Sequence, residues 1–145
     1  MPQQATPAVA TSFQVGQSVT TTLKVDDKLV HAYADVTGDH NPVHLDDAFA
    51  AKTPFGRRIA HGGILFGLVT KVLGTELPGI GTIFMSQTIN FKAPVYINDT
   101  VKLVVTLAEL LPKNGAKLNC VITSENGTVV ADGTATVKLP KVVAK

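Results

Sequence analysis

The sequence predicts an α+β fold in which an antiparallel β-sheet wraps around one long central α-helix. Three observations carry that prediction. Between Gly62 and Glu76, Ile64, Leu65, Leu68, Val69, Val72 and Leu73 form an apolar stripe wider than a surface helix needs. From Thr100 to Leu111 the pattern switches to period two, with Val101, Leu103, Val105 and Leu107 on one face. Two turn signals, Pro112-Lys113-Asn114-Gly115 and Glu125-Asn126-Gly127, then fold the remaining apolar runs back as hairpins. A helix so largely apolar is best buried by curling the meander around it.

Taken in order, residues 1–12 are rich in Pro, Gln, Thr and Ala and are expected to be a disordered leader, with 13–145 forming a single domain. Ser18 to Lys24 is β-branched and reads as a strand. Asp26 is placed as an N-cap, followed by Leu29, Val30, Tyr33 and Val36 at helical spacing, and the helix should end near Thr37-Gly38. A short helical turn is expected from Asp46 to Ala51, broken by Pro54-Phe55-Gly56. Leu77-Pro78-Gly79 ends the long helix. Ile83 to Phe91 reads as one strand, with Pro94 marking a bend or sheet edge after it. Lys117 to Ser124 and Thr128 to Leu139 complete a meander of about four strands, each expected beside its sequence neighbour. In the first hairpin, Asn114-Gly115 is the strongest part of the turn signal.

Composition narrows the function classes. Apolar residues are 45% and charged residues 17%, which places the chain among globular rather than disordered proteins. A net charge of +2 and no basic cluster beyond Arg57-Arg58 argue against nucleic acid or a membrane surface as partner. No apolar run approaches the roughly 20 residues that cross a bilayer. Cys120 is the one cysteine, so no internal disulfide forms; this fits a reducing compartment, and a cytoplasmic location is the expectation. In its strand Cys120 is expected to be buried and inert.

The chemistry concentrates between Thr37 and Gly63. Asp39 and His44 stand five positions apart around an Asn41-Pro42 step, which shapes a loop because Pro42 lacks an N–H and disfavours helical angles at Asn41. A carboxylate and an imidazole held on one tight loop suit paired acid–base work. Gly62 and Gly63 open the long helix and leave its first N–H groups uncovered for a developing negative charge. Plainer readings stand beside these. Asp39 could be a turn residue bonding its own backbone, and His44 a satisfied core histidine. Asn41 reads as a brace through its side-chain amide. His61 is left open between a structural and a functional role, while His31 and His40 are read as neither catalytic nor ligating. The four histidines lack a spacing such as H-E-x-x-H, so no metal site is expected.

The run Tyr33-x-x-x-Thr37-Gly38-Asp39-x-Asn41-Pro42-Val43-His44-Leu45-Asp46, followed by Ala60-His61-Gly62, resembles the MaoC-like (R)-specific enoyl-CoA hydratases, which have the hotdog fold. The resemblance extends from about Phe13 to Pro140 and includes Gln87 and Phe91-Lys92-Ala93-Pro94-Val95. It implies reversible syn hydration of a trans-2-enoyl thioester to the (R)-3-hydroxyacyl product. By position it makes Asp39 the base toward a water and His44 the partner that orients the water and shuttles its proton to C2. It makes the Gly62 backbone N–H the donor to the thioester carbonyl. The implied substrate is an acyl-CoA thioester, the implied assembly a homodimer, and no cofactor beyond the coenzyme A of the substrate is implied. Arg57, Arg58 and Lys52 then become either contacts for the coenzyme A phosphates or ordinary solvated loop charges.

Two positions depart from the family pattern. Thr70 replaces a serine common in relatives, keeping a hydroxyl beside an added methyl. Gly63 replaces a larger apolar residue, which leaves two readings: a wider acyl pocket or a looser helix start. Rival functions are the same dehydration on an acyl carrier protein, thioester hydrolysis on the same fold, and a non-catalytic acyl-CoA-binding subunit.

Overall fold

The computed structural model describes residues 12–141, and among these the chain runs β1 (Ser18–Lys24), α1 (Asp27–Thr37), α2 (Pro42–Leu45), α3 (Asp47–Ala51), α4 (Gly62–Thr75), β2 (Ile83–Gln87), β3 (Asn90–Phe91), β4 (Thr100–Leu111), β5 (Gly115–Ser124) and β6 (Val129–Lys138). Apart from Ser12, the expected leader lies outside the described residues. The strands form one antiparallel sheet in the order β1-β4-β5-β6-β2, with β3 also paired to β6.

The core lies between α4 and the inward faces of β4, β5 and β6. Ile64, Leu65, Leu68, Val69, Val72 and Leu73 of α4 are all buried, as the apolar stripe requires. They share a cluster with Val101, Leu103, Val105, Leu107, Leu118, Ile122 and Val137. The four β4 residues expected on one face are each 0% exposed, so alternation set that strand's inward side.

The structure corrects several expectations. The segment 83–91 is two strands: Thr88 N–H still bonds the Thr134 carbonyl (2.8 Å), but the Thr134 N–H goes to the Thr88 hydroxyl (3.0 Å), and the chain passes over Gly133, where no Cβ would fit beside the Thr88 carbonyl. β2 does not lie beside β4. β1 already occupies that edge of β4, so β2 takes the free edge of β6 instead. In the β4–β5 hairpin, Lys113 (φ 61°) and Asn114 (φ 63°) take the left-handed positions, one residue earlier than expected. Gly115 instead begins β5, where a Cβ would meet Leu111 Cβ at 3.1 Å. Val36 faces solvent rather than the core, which α1 meets through Val30 and Ala34. Residues 42–45 make a turn of helix, with Pro42 in the first helical turn, where a missing N–H costs nothing.

Caps deliver the chain to the site. Asp26 accepts the Leu29 N–H at 2.9 Å and starts α1. Gly38 ends it at φ 79°, returning its N–H to the Ala34 carbonyl at 2.8 Å. Asp39 follows at once. The second limb is fixed by Ile59 N–H to the Val43 carbonyl (3.3 Å) and Ala60 N–H to the Val95 carbonyl (2.7 Å). No helix among the described residues is long and apolar enough to cross a membrane.

Candidate active site

The Asp39 loop is shaped by short-range hydrogen bonds. Thr37 Oγ1 donates to the Tyr33 carbonyl at 2.7 Å and accepts the Asp39 N–H at 3.2 Å. Asp39 Oδ1 accepts the Asn41 N–H at 3.2 Å, and Asn41 Oδ1 in turn accepts the Val43 N–H at 3.2 Å, capping α2. The turn reading of Asp39 therefore holds for one carboxylate oxygen. Asn41 braces the loop.

His44 is 9% exposed, and its Nδ1 lies 2.7 Å from the Ile59 carbonyl. A carbonyl only accepts, so the ring hydrogen is on Nδ1 and Nε2 carries the lone pair. His61 is 2% exposed, and by the same reasoning its Nε2–H donates to the Asp39 backbone carbonyl at 3.0 Å. Its pKa is pushed below the usual imidazole range by burial. The rings of His44 and His61 stack with centroids 3.8 Å apart, and Tyr33 packs against His61 at 4.6 Å. One carboxylate oxygen of Asp39 and one ring nitrogen from each histidine lie within 4.8 Å of one another. Two hydrogen bonds of about 2.8 Å meeting at a water's tetrahedral angle span roughly 4.6 Å, so the group is sized to hold one water.

The chain then turns into α4, whose N-cap His61 makes no side-chain cap. The first N–H groups of the helix, that of Gly62 included, are left open. A cavity of about 440 Å³ is walled by His44, Gly62, Leu65, Phe91, Pro94 and Val95 among others. Gly62 is a requirement of that wall, since a Cβ there would lie 2.8 Å from the Phe91 ring. A second cavity of about 380 Å³ shares Ala93 and Pro94 with the first and includes Arg57, Tyr96, Asp99 and Asn126.

The remaining residues singled out in the sequence divide. Arg57 stacks on Tyr96, 3.8 Å from the ring centroid, at the rim of the second cavity. Arg58 turns inward instead. It bonds Asp47 (2.8 Å), Asp27 (2.7 Å) and the His44 carbonyl (3.3 Å), joining α1, α2 and α3. The guanidinium holds the Asp27 carboxyl below its ordinary pKa, and its own pKa is raised in return. Its Nε and Nη1 are engaged by these three partners. Lys52 caps α3 and faces solvent. Thr70 returns its hydroxyl to the Gly67 carbonyl at 2.9 Å, within its own helix. Both readings of Gly63 give way to a third: the Tyr33 phenol fills the space above it, where a Cβ would overlap the hydroxyl oxygen. Cys120 is buried, which pushes its thiol pKa up to about 11.

Sequence reasoning did not foresee the structural use of Arg58, the seat of Tyr33 on Gly63, or the Ile59 carbonyl that sets the His44 tautomer. Backbone acceptors carry no residue-type signal. A glycine and a tyrosine thirty positions apart show no local pattern.

Comparison with known proteins adds four findings. Residues 6–131 match the model of the MaoC like domain family. The chain is 53% identical over 113 residues to a 3-hydroxybutyryl-CoA dehydratase of Methylorubrum extorquens, covering 77% of this chain and 71% of that protein. It is 40% identical over 132 residues to an (R)-specific enoyl-CoA hydratase of Aeromonas caviae, covering 90% and 98%. Among solved structures, an (R)-hydratase from A. caviae involved in PHA biosynthesis superposes with a TM-score of 0.86 at 39% identity, over 90% of this chain and all of the other.

Proposed function

The chain belongs to the MaoC-like domain family, and from that premise we propose how it works as an (R)-specific enoyl-CoA hydratase. The enzyme is a hydro-lyase: it adds water to trans-2-enoyl-CoA to give (R)-3-hydroxyacyl-CoA, and the reverse reaction is the dehydration. The observation that carries the site assignment is the meeting of the Asp39 carboxylate, the His44 ring and the open N-terminus of α4 beside one cavity.

In the proposed mechanism, Asp39 and His44 Nε2 each accept a hydrogen bond from the same water, which aims its oxygen lone pair at C3. As the C–O bond forms, the C2–C3 π electrons move through C2 onto the thioester oxygen, where the Gly62 N–H stabilises the enolate. Asp39 acts as base toward the water, and the proton travels by way of His44 to C2. The tautomer imposes an order. With its only hydrogen donated to Ile59, His44 must receive a proton at Nε2 before it gives one. Water and proton come from one side of the substrate, which makes the addition syn.

The acyl thioester occupies the cavity beside Gly62, and the nucleotide end of coenzyme A extends into the adjoining one, with Arg57 as the phosphate contact. Comparing turnover on coenzyme A and acyl-carrier thioesters tests this, since the second cavity offers Arg57 among Asp99 and Glu125 rather than a basic face. Release of free thiol in place of hydration would assign thioester hydrolysis instead.

The chain acts in fatty-acid metabolism in the cytoplasm, as a homodimer. The edge strand β2 supports the dimer: Ile83, Phe84 and Met85 are exposed there, next to exposed Phe91. Light scattering should give twice the chain mass, and a monomer would contradict this assembly.

A further inference from the structure

His61 touches each part of the proposed machinery and is given no proton-transfer step in it. Its Nε2–H holds the backbone carbonyl of Asp39 (3.0 Å), its ring lies under His44 (3.8 Å), and its own carbonyl and the next residue begin α4 at Gly62. Tyr33 backs it at 4.6 Å, seated where Gly63 has no side chain. Its Nδ1 is buried and has no partner among the described residues. An imidazole placed only to fill the core would be a poor choice, because a buried unpaired acceptor costs about 1–3 kcal/mol that a phenyl ring avoids.

We infer that His61 is a positioning residue for the hydration, a neutral imidazole that pins the Asp39 loop with one edge and supports protonated His44 with its face. The inference rests on the proposed catalytic pair. Two properties follow from the geometry. The Asp39 carbonyl keeps the hydrogen on Nε2, and burial disfavours a second proton, so His61 does not oppose the positive charge that His44 gains during the relay. A neutral ring face 3.8 Å from an imidazolium attracts it. The titratable groups around His61 are Tyr33 from α1, Asp39 and His40 from the loop, and His44 from α2; His40 is drawn outward to Asp35 at 3.3 Å.

Two variants separate the two edges of this role. His61→Phe keeps a ring face and loses the donor, so kcat should fall roughly 10- to 100-fold through misplacement of Asp39, with KM within about threefold. His61→Gln keeps a donor and loses the ring face that attracts the imidazolium, so the acid limb of the kcat profile should move to lower pH. Wild-type kcat and an unmoved profile in folded variants would overturn the inference, because a space-filling histidine predicts that result. The wild type supplies a test independent of variant folding. In nitrogen-15 NMR of histidine-labelled protein without substrate, His61 should carry its hydrogen on Nε2 and stay neutral across the usual imidazole range. A His61 that titrates in that range, or carries its hydrogen on Nδ1, refutes the inference. Because these ring states are read without substrate, a protein inert on enoyl-CoA would sink the proposed function and leave this test intact.

Discussion

Gly63 and Tyr33 occupy complementary space, and substituting one should expose its dependence on the other. A methyl group at Gly63 would overlap the Tyr33 hydroxyl oxygen and lie 2.6 Å from Cζ and 3.2 Å from Cε2. The phenol has to swing away, which forfeits its 4.6 Å contact with His61. Overpacking of this kind costs about 1–3 kcal/mol and the lost ring contact about 0.5–1.5 kcal/mol, so Gly63→Ala should destabilise by about 2–4 kcal/mol. At about 4 °C per kcal/mol for a chain of this size, thermal melting should move down by roughly 8–16 °C. In a Tyr33→Ala background the added methyl meets open space, and its cost should vanish, giving a coupling of about 2–4 kcal/mol in the double-mutant cycle. A Gly63→Ala protein that melts within a degree or two of wild type, or an equal loss in both backgrounds, would refute the reasoning.

Arg58→Ala should cost about 1–2 kcal/mol in chemical denaturation, discounted for exposed carboxylate partners, and should lower kcat as well, since the His44 carbonyl loses a donor. The Asp27 carboxyl is depressed by Arg58, so its stabilisation is present above the unfolded carboxylate pKa and lost as pH falls through the folded one. Acid titration of stability should show that loss in wild type and not in Arg58→Ala. Cys120 titrates the other way. Its thiol ionises at about 9.0 when free and about 11 when folded, so the unfolded chain loses its proton first and stability falls as pH rises between them. Denaturation of wild type and Cys120→Ala across pH 8 to 10.5 should diverge by up to about 1.4 kcal/mol per pH unit. Gly133→Ala sets a Cβ against the Thr88 carbonyl, with Ile89 Cα at 3.0 Å, and a clash against backbone should cost at least about 3 kcal/mol in the same assay.

What was legible in the sequence was whatever has a period or a local partner. The α4 stripe and the β4 alternation named their buried residues because one face of each had to leave water. Asp26 and Gly38 named the ends of α1 because capping is decided within four residues. Long-range choices were not legible. That β2 joins β6 rather than β4 depends on β1 holding the other edge, and the break at Thr88 depends on Gly133, far along the chain. At the site, Asp39, His44 and Gly62 stood out through residue type and spacing. The structural use of Arg58 was not legible, because a loop arginine looks the same in sequence whether it faces solvent or bonds Asp27, Asp47 and a carbonyl.

The central claim is that Asp39 and His44 share one water and pass its proton to C2. It is tested most directly by the loss of enoyl-thioester absorbance with crotonyl-CoA, in wild type, Asp39→Asn and His44→Ala, with the C3 configuration of the product read in the same samples. Asp39→Asn is informative because an amide oxygen can still accept the Asn41 N–H and keep the turn while the base is lost. The account predicts rapid hydration to the (R) product in wild type and a fall of about two orders of magnitude or more in each variant. Either variant hydrating at the wild-type rate, or a product of (S) configuration, would contradict it.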